Sequence, residues 1–323
     1  MEQNMTKLKA LLSGAALALT LAAAPAFAQT KITIGDVGTG SANHWPSYIA
    51  QQKGFFKEKG LDVEFVAAQS SSAAVQQLAA GSVEMAVGGL VDPIRAIDKG
   101  APITLFRTEA MAAPYEIYAK PEIKTWADLR KKTIMIGGIK DITRIYLERM
   151  LVPNGLKPTD YDLVFAGATA ARFSALASGS IDATILNAPF NFKAKGLGLT
   201  RLGAAPDYVR DFPFTGYAVG TAWAKAHKAE LAGFLEAYRK GVDWFYDPAN
   251  RAEAVDIVQK ISKVDRGDID QTWAFYSELK VFDREGRVAS PGVENLLKTL
   301  KDYGDIEGAT DVARFVNADV LPK

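Results

Sequence analysis

The chain has 323 residues, 48% of them apolar and 23% charged, with 38 basic against 37 acidic side chains. That balance excludes an intrinsically disordered chain and a bundle of membrane spans, and it gives nucleic acid or an anionic membrane no bulk attraction. The absence of cysteine removes disulfides, thiol catalysis and cysteine-held metals together.

In chain order, Lys7 and Lys9 precede the uncharged run LLSGAALALTLAAAP, which ends in Ala26-Phe27-Ala28. Basic, apolar and small-x-small segments in this order predict a secretory signal, residues 1–28, cleaved after Ala28. A membrane anchor is the alternative, but a span needs about 20 apolar residues, and Pro25 and the small residues shorten the apolar core. Cleavage would remove Lys7, Lys9 and Glu2, leaving a neutral mature chain. A new N-terminus without cysteine has no lipid attachment site, so the protein is expected free in the periplasm of a double-membraned bacterium.

The mature chain alternates strands and helices. β-branched alternation predicts strands at Lys31–Val37, Leu61–Ala67 and Val83–Gly88, separated by helices at His44–Lys53 and Ser72–Ala80. Asp92-Pro93 predicts an N-cap and first helical position, opening a helix that ends near Gly100. Strands follow at Ile103–Phe106 and Tyr115–Ala119. A second cycle then runs through a short helix Trp126–Lys131, strand Thr133–Ile136, helix Asp141–Leu151, strand Tyr161–Phe165, helix Ala170–Ala177 and strand Ile181–Leu186, after which Pro189 opens the next segment. The remainder is one strand, Tyr217–Thr221, and helices at Lys225–Tyr246, Arg251–Lys260 and Asp268–Leu279. Such alternation predicts α/β architecture with mainly parallel sheets wrapped by helices.

One unit occurs twice: LAAGSVEMAV at 78–87 and LASGSIDATI at 176–185. Each copy ends a helix at glycine, Gly81 or Gly179, and enters a small-apolar strand carrying one acidic residue. Ligands bind at the carboxyl ends of parallel strands, so two such sheets facing one another would share a cleft. Gly-Ser is also a common helix ending, and the repeat alone does not decide between these explanations.

The stretches GFFKEKGLDVEF (54–65), LAAGSVEMAV, WADLRKKTIMI (126–136) with Gly137-Gly138, and NGLKPTDYDLV (154–164) resemble periplasmic substrate-binding proteins of ABC importers. They are similar to the nitrate, taurine, alkanesulfonate and hydroxymethylpyrimidine-type branch, in order and spacing over most of residues 31–250. The resemblance implies a type II periplasmic-binding-protein fold, two α/β lobes joined by two crossing strands with a ligand cleft between them. The crossings would fall near Glu109–Ala119 and Phe212–Gly220, making residues 30–115 plus 216–323 lobe one and 116–215 lobe two. It also implies a monomer that hands its ligand to an ABC permease and ATPase. Two rivals share the fold: a hydroxymethylpyrimidine-synthase-like enzyme, whose family carries a cysteine-rich motif absent here, and a ligand domain feeding a periplasmic sensor.

The inventory for chemistry is thin. Only His44 and His227 are present, without a G-x-S-x-G elbow, a phosphate loop or H-E-x-x-H, so neither a catalytic site, a cofactor nor a metal is expected. His227, in AKAHKAEL, is expected to be exposed. The candidate ligand residues cluster at strand ends: Thr39, Ser41, Asn43, His44 and Trp45 after the first strand, and Gln69 and Ser70 after the second. Gly89 and Leu90 follow the third. Lobe two would contribute Gly138, Lys140, Thr143, Thr169, Asn187 and Phe190, and the crossings Arg107, Glu109 and Tyr217. Glycine, hydroxyl and amide groups let backbone N–H groups and polar side chains meet a small polar or anionic ligand. The competing possibilities are ordinary capped connections with Trp45 in the core, and an ion pair between Arg107 and a local acid. Carboxylate, sulfonate, nitrate and pyrimidine ligands all suit this set, and helix starts near His44 and Asp141 favour an anion slightly.

Overall fold

A computed structural model describes residues 29–37, 42–209 and 212–322. The leader at 1–28, with its cleavage site, and two candidate ligand residues, Thr39 and Ser41, lie outside the described residues.

The strands are β1 (Thr30–Val37), β2 (Leu61–Ala68), β3 (Met85–Gly89), β4 (Ile103–Thr108), β5 (Glu116–Ala119), β6 (Thr133–Ile136), β7 (Asp162–Phe165), β8 (Ala183–Leu186), β9 (Thr200–Ala204) and β10 (Thr215–Gly220). The helices are α1 (Trp45–Gln52), α2 (Ser71–Ala79), α3 (Val91–Asp98), α4 (Ile142–Leu151), α5 (Thr169–Ala177), α6 (Phe190–Gly196), α7 (Thr221–Ala226), α8 (Lys228–Tyr246), α9 (Arg251–Ser262), α10 (Arg266–Glu278) and α11 (Pro291–Asp302).

These strands form two five-stranded sheets, β2-β1-β3-β10-β4 and β7-β6-β8-β5-β9. In each, the first three strands run parallel and the last two join antiparallel. The sheets are therefore mixed, whereas strand–helix alternation alone predicted mainly parallel ones. The chain crosses between them twice, and the crossings pair with each other: Glu109 N–H donates to Thr215 O at 2.8 Å and Phe214 N–H to Ala110 O at 2.8 Å. A C-terminal segment joins this seam, with Asp283 N–H donating to Glu109 O at 3.0 Å.

The repeated unit has the same construction in both sheets. Gly81 and Gly179 take φ of 73° and 76°, a left-handed helix ending at which a side chain would be strained. The acid that follows is not decoration. A Glu84 carboxylate oxygen accepts from Thr33 N–H at 2.7 Å, and an Asp182 oxygen accepts from Thr133 N–H at 3.0 Å. Each acid thus satisfies a backbone donor of the neighbouring strand that would otherwise need water, tying the start of β3 to β1 and the start of β8 to β6.

Boundaries shift where local chemistry competes. The helix expected from Asp92 begins at Val91, with Leu90 as its cap, because Asp92 faces inward toward Ser71 and Asp141. The long helix predicted for Lys225–Tyr246 breaks at His227, whose ring stacks on Trp223 with centroids 4.6 Å apart and is partly buried, not exposed. β9 and α11 went unpredicted; β9 is a short edge strand with only Leu202 and Gly203 between polar starts and alanine. Among the described residues, no helix is long and apolar enough to cross a membrane.

Candidate functional site

The loops at the carboxyl ends of the parallel strands meet across the seam between the sheets. Asn187, after β8, donates from Nδ2 to Asn43 Oδ1 at 3.4 Å, and Tyr276 of α10 donates to the same oxygen at 2.9 Å. Arg95 of α3 donates to the Lys140 carbonyl beyond β6 and pairs with Asp305 at 2.7 Å. Space for a side chain at Gly89 would be bounded by Ile142 at 3.7 Å, and at Gly167 by the Gln69 carbonyl at 3.6 Å. Further out, Phe192 of α6 meets Phe275 of α10 with ring centroids 5.8 Å apart. The two lobes are closed on one another, and three strand-end loops of each line the seam.

Several expected residues lie in this seam, Asn43, Gln69, Gly89, Lys140 and Asn187, and Gly138 and Thr169 belong to two of the loops that form it. Ser70 is beside it but works as the cap of α2, accepting from Ala73 N–H at 3.1 Å. Thr143 is also occupied. Its hydroxyl oxygen accepts from Gly137 N–H at 2.8 Å and its proton goes to Asp141 Oδ1 at 2.5 Å, so it pins the loop after β6. Phe190 is half-buried against Phe173, with centroids 5.6 Å apart, in a small satellite core.

Other expected residues belong to the interior of lobe one. Trp45 is fully buried against Phe245 and Tyr276, with its indole N–H donating to Ala254 O at 3.3 Å. Leu90 is core, and Tyr217 is buried among Phe106, Phe234 and Tyr238 while bonded to Ser47. Among the described residues, Arg107 pairs with no acid. Its guanidinium lies 3.8 Å from the centre of the Tyr238 ring and donates to the carbonyls of Thr108 (3.0 Å) and Asp283 (2.5 Å). β4 is buried on both faces, and Arg107 lies on the one toward α8 and the C-terminal segment, which the sequence pattern did not reveal.

His44 and Glu109 lie deeper still, in a closed polar knot at the end of β1. His44 Nδ1 is 2.5 Å from Glu109 Oε2, and its Nε2 is 3.4 Å from Asp36 Oδ1. Tyr238 donates to Glu109 Oε1 at 3.0 Å, Thr215 to Glu109 Oε2 at 3.3 Å, and Tyr48 to Asp36. Burial alone would lower the His44 pKa, but the carboxylates of Glu109 and Asp36 outweigh it and raise it to about 9. Burial also raises the pKa of Asp36. An imidazolium held between two carboxylates is not a free general base, and the knot braces the loop above it. Among the described residues, no group of three or more acids and histidines is arranged to hold a metal ion.

The sequence reading missed Arg172. It is almost fully buried in α5, where Nε donates to Ile185 O at 3.0 Å, Nη1 to Ala166 O at 3.0 Å and Gly167 O at 2.7 Å, and Nη2 to Thr169 Oγ1 at 2.8 Å. The available signal was a lone cation in the otherwise small and apolar helix TAARFSALA, three positions after a strand-end threonine.

Known proteins fit this geometry. A ligand-binding component of an ABC-type import system from Staphylococcus aureus superposes with a TM-score of 0.75 at 16% identity, covering 90% of this chain and 98% of that one. The Escherichia coli periplasmic aliphatic sulphonate binding protein SsuA superposes with a TM-score of 0.71 at 18% identity, covering 88% and 91%. The fold is therefore that of periplasmic binding proteins, two α/β lobes with a cleft between them. In sequence, the Saccharomyces cerevisiae 4-amino-5-hydroxymethyl-2-methylpyrimidine phosphate synthase THI13 is 28% identical over 144 residues, 44% of this chain and 42% of that enzyme. The match thus spans less than half the length of that relative. The Bacillus subtilis protein YtlA, named for a binding role, is 22% identical over 302 residues, 91% of this chain and 90% of its own. The family described as NMT1/THI5 like matches residues 41–252, and the chain belongs to that family.

Proposed function

We propose that this protein is a periplasmic solute-binding protein that captures a small polar or anionic organic molecule and delivers it to an ABC permease and its ATPase. The observation that carries this reading is the seam itself: two sheets of matching order meet through their strand-end loops, and Asn43 of one lobe is bonded to Asn187 of the other at 3.4 Å. Parting the lobes would break a limited set of polar contacts, among them Arg149 with Thr299 at 2.6 Å and Lys193 with Asp268 at 3.4 Å, and would open a cleft lined by amides and hydroxyls, which is how a small ligand is enclosed and released. The fold neighbours support it, as they include import-system and sulphonate-binding proteins. Residues 1–28 would act as the export signal, and the mature protein would work as a monomer in the periplasm.

The pyrimidine phosphate synthases favour an enzyme as the second reading, through a 28% match over 44% of the chain. One experiment separates the two. Mature protein starting at Gln29 is screened by thermal shift against sulfonates, carboxylates, nitrate and pyrimidines, and each stabilising compound is recovered and weighed by mass spectrometry. A ligand at about 100 times its Kd adds about 2.7 kcal/mol of stability, a clear rise in unfolding temperature. Recovery of the unchanged compound is expected; release of an altered one would replace the binding reading with the enzyme.

A further inference from the structure

Arg172 carries a positive charge into the wall of lobe two, and among the described residues no carboxylate lies within ion-pair distance of it. Its four bonds go to three carbonyls and one hydroxyl. Burying a cation among neutral acceptors alone is costly, so the feature calls for a purpose. The direction of the bonds supplies one. Thr169 Oγ1 accepts from the guanidinium at 2.8 Å, which leaves the threonine proton to be given onward. The Tyr115 hydroxyl sits within reach of both Thr169 and Arg172. With the donors of Thr169 and Arg172 on one side of the Tyr115 oxygen, its own proton is left to point outward, away from them, and chained hydrogen bonds of this kind strengthen one another.

Outward is the seam. Tyr115 stands near Tyr276 of α10, which bridges to Asn43, and the loop holding Thr169 faces Gln69 of the other lobe. Burial pushes the Tyr115 phenol up to about 12, so it remains a donor throughout the physiological range. The carboxylate acting on it is Asp141. One Asp141 oxygen is already taken by the N–H (2.8 Å) and hydroxyl of Thr143 at the start of α4, where the helix dipole offsets its charge.

We propose that Arg172, Thr169 and Tyr115 form an oxyanion subsite of the cleft, in which Tyr115 donates to a ligand carboxylate or sulfonate oxygen and Arg172 is the positioning residue that turns both hydroxyls outward. This deepens the solute-binding reading and rests on it. The ligand's negative charge supplies the counter-charge that Arg172 lacks in the protein.

Tyr115→Phe keeps the ring packing and removes only the donor; Thr169→Val interrupts the relay while leaving the buried guanidinium in place. The probes are two matched pairs, 1-butanesulfonate with butanesulfonamide and benzoate with benzamide, measured by thermal shift and calorimetry on the mature protein. The expected result is that the acids bind and the amides do not, and that each substitution weakens acid binding by about 10- to 100-fold, the loss of a hydrogen bond to a charged group. The unfolding temperature of free Tyr115→Phe should stay near that of the parent, whereas Thr169→Val, which strands an N–H of buried Arg172, should lower it modestly. Equal acid affinity in parent and both variants would overturn the subsite. So would amides binding as well as acids, or no response to either acid. In those cases a neutral pyrimidine that binds and is released unchanged would leave the solute-binding reading standing, whereas its chemical alteration would remove that reading as well.

Discussion

Asp92 offers a test of whether the closed seam exists in solution. Its carboxyl group is mostly buried at the start of α3, and burial, then Asp141 across the seam, raise its pKa from 3.8 to about 6. Ser71 and Arg95 pull it down, and Asp305 adds to the rise. With the folded value above the unfolded one, the sign is unusual for an aspartate. Between the two values the folded chain holds a proton that the unfolded chain has lost, so stability falls as pH rises through this window and the deficit is complete above about 6. At about 1.4 kcal/mol per pKa unit the deficit is about 3 kcal/mol. Asp92→Asn removes the charge but retains an oxygen for Ser71. Net stabilisation of about 1 to 3 kcal/mol is therefore expected at pH 8 and almost none at pH 3.5, where the aspartate is neutral in the folded state and mostly neutral in the unfolded one. Urea denaturation of parent and variant at both pH values measures it, since titrating groups remote from Asp92 cancel in the difference. A gain of the same size at both pH values would refute the electrostatic account. No gain at pH 8 in Asp92→Asn would mean that this carboxyl group is not buried against Asp141 in solution, as it would not be with the lobes apart.

Glu84→Ala and Asp182→Ala each strand a backbone N–H, and each is expected to cost about 1 to 3 kcal/mol; the two costs should add, because the acids serve different sheets, and a double variant no weaker than either single would contradict their independence. Gly216→Ala would place its Cβ 2.6 Å from both the Arg107 carbonyl and a Leu90 methyl, so a loss of about 2 kcal/mol or more is expected, with an unchanged urea midpoint as the contrary result. Thr143→Ala should destabilise the free protein by about 1 to 2 kcal/mol, since its hydroxyl joins Gly137 to Asp141; a variant with normal stability and weakened ligand binding would return Thr143 to the cleft. Asn43→Ala removes the oxygen shared by Asn187 and Tyr276, and X-ray scattering should show a larger radius of gyration for the free protein, or else the bridge is not what holds the lobes.

The elements were legible because their signals are local. Alternating β-branched residues marked β1 and β2, and the Gly81 and Gly179 endings marked where α2 and α5 stop. The site was legible only down to its loops. Trp45 and Asn43 are two positions apart, yet one is core and the other bridges the lobes. Which of them faces the seam depends on a short helical turn at Ala42–His44, and no periodicity encodes so brief an element. Arg107 failed for a related reason. Its strand is buried on both faces, so alternation gives no inside and outside, and the choice falls to α8 and the C-terminal segment, distant in sequence. Arg172 was overlooked because a cation in a helix usually marks the solvent face, whereas here the strand-end carbonyls draw it inward.

The two buried ionic groups divide the work of the cleft between them. The His44 knot ties β1, the first crossing, β10 and α8 together through Glu109, whose two oxygens meet His44, Thr215 and Tyr238. All of these lie on one side of the seam, so the knot is intact whether the lobes are open or closed. Asp92 and Asp141 face one another only when the lobes meet, and their repulsion disfavours closure wherever both are charged. Arg95 opposes that repulsion from the same helix by reaching the Lys140 carbonyl. The seam is thus held by apolar packing and a limited set of polar contacts, with one like-charge pair working against them. A ligand bound as proposed above would replace the Asn43–Asn187 contact with its own bonds to both lobes, and those bonds would decide whether the seam stays shut. On the proposed solute-binding reading such a near-balance is required, because a seam stable without ligand would hide the site from the molecule to be collected.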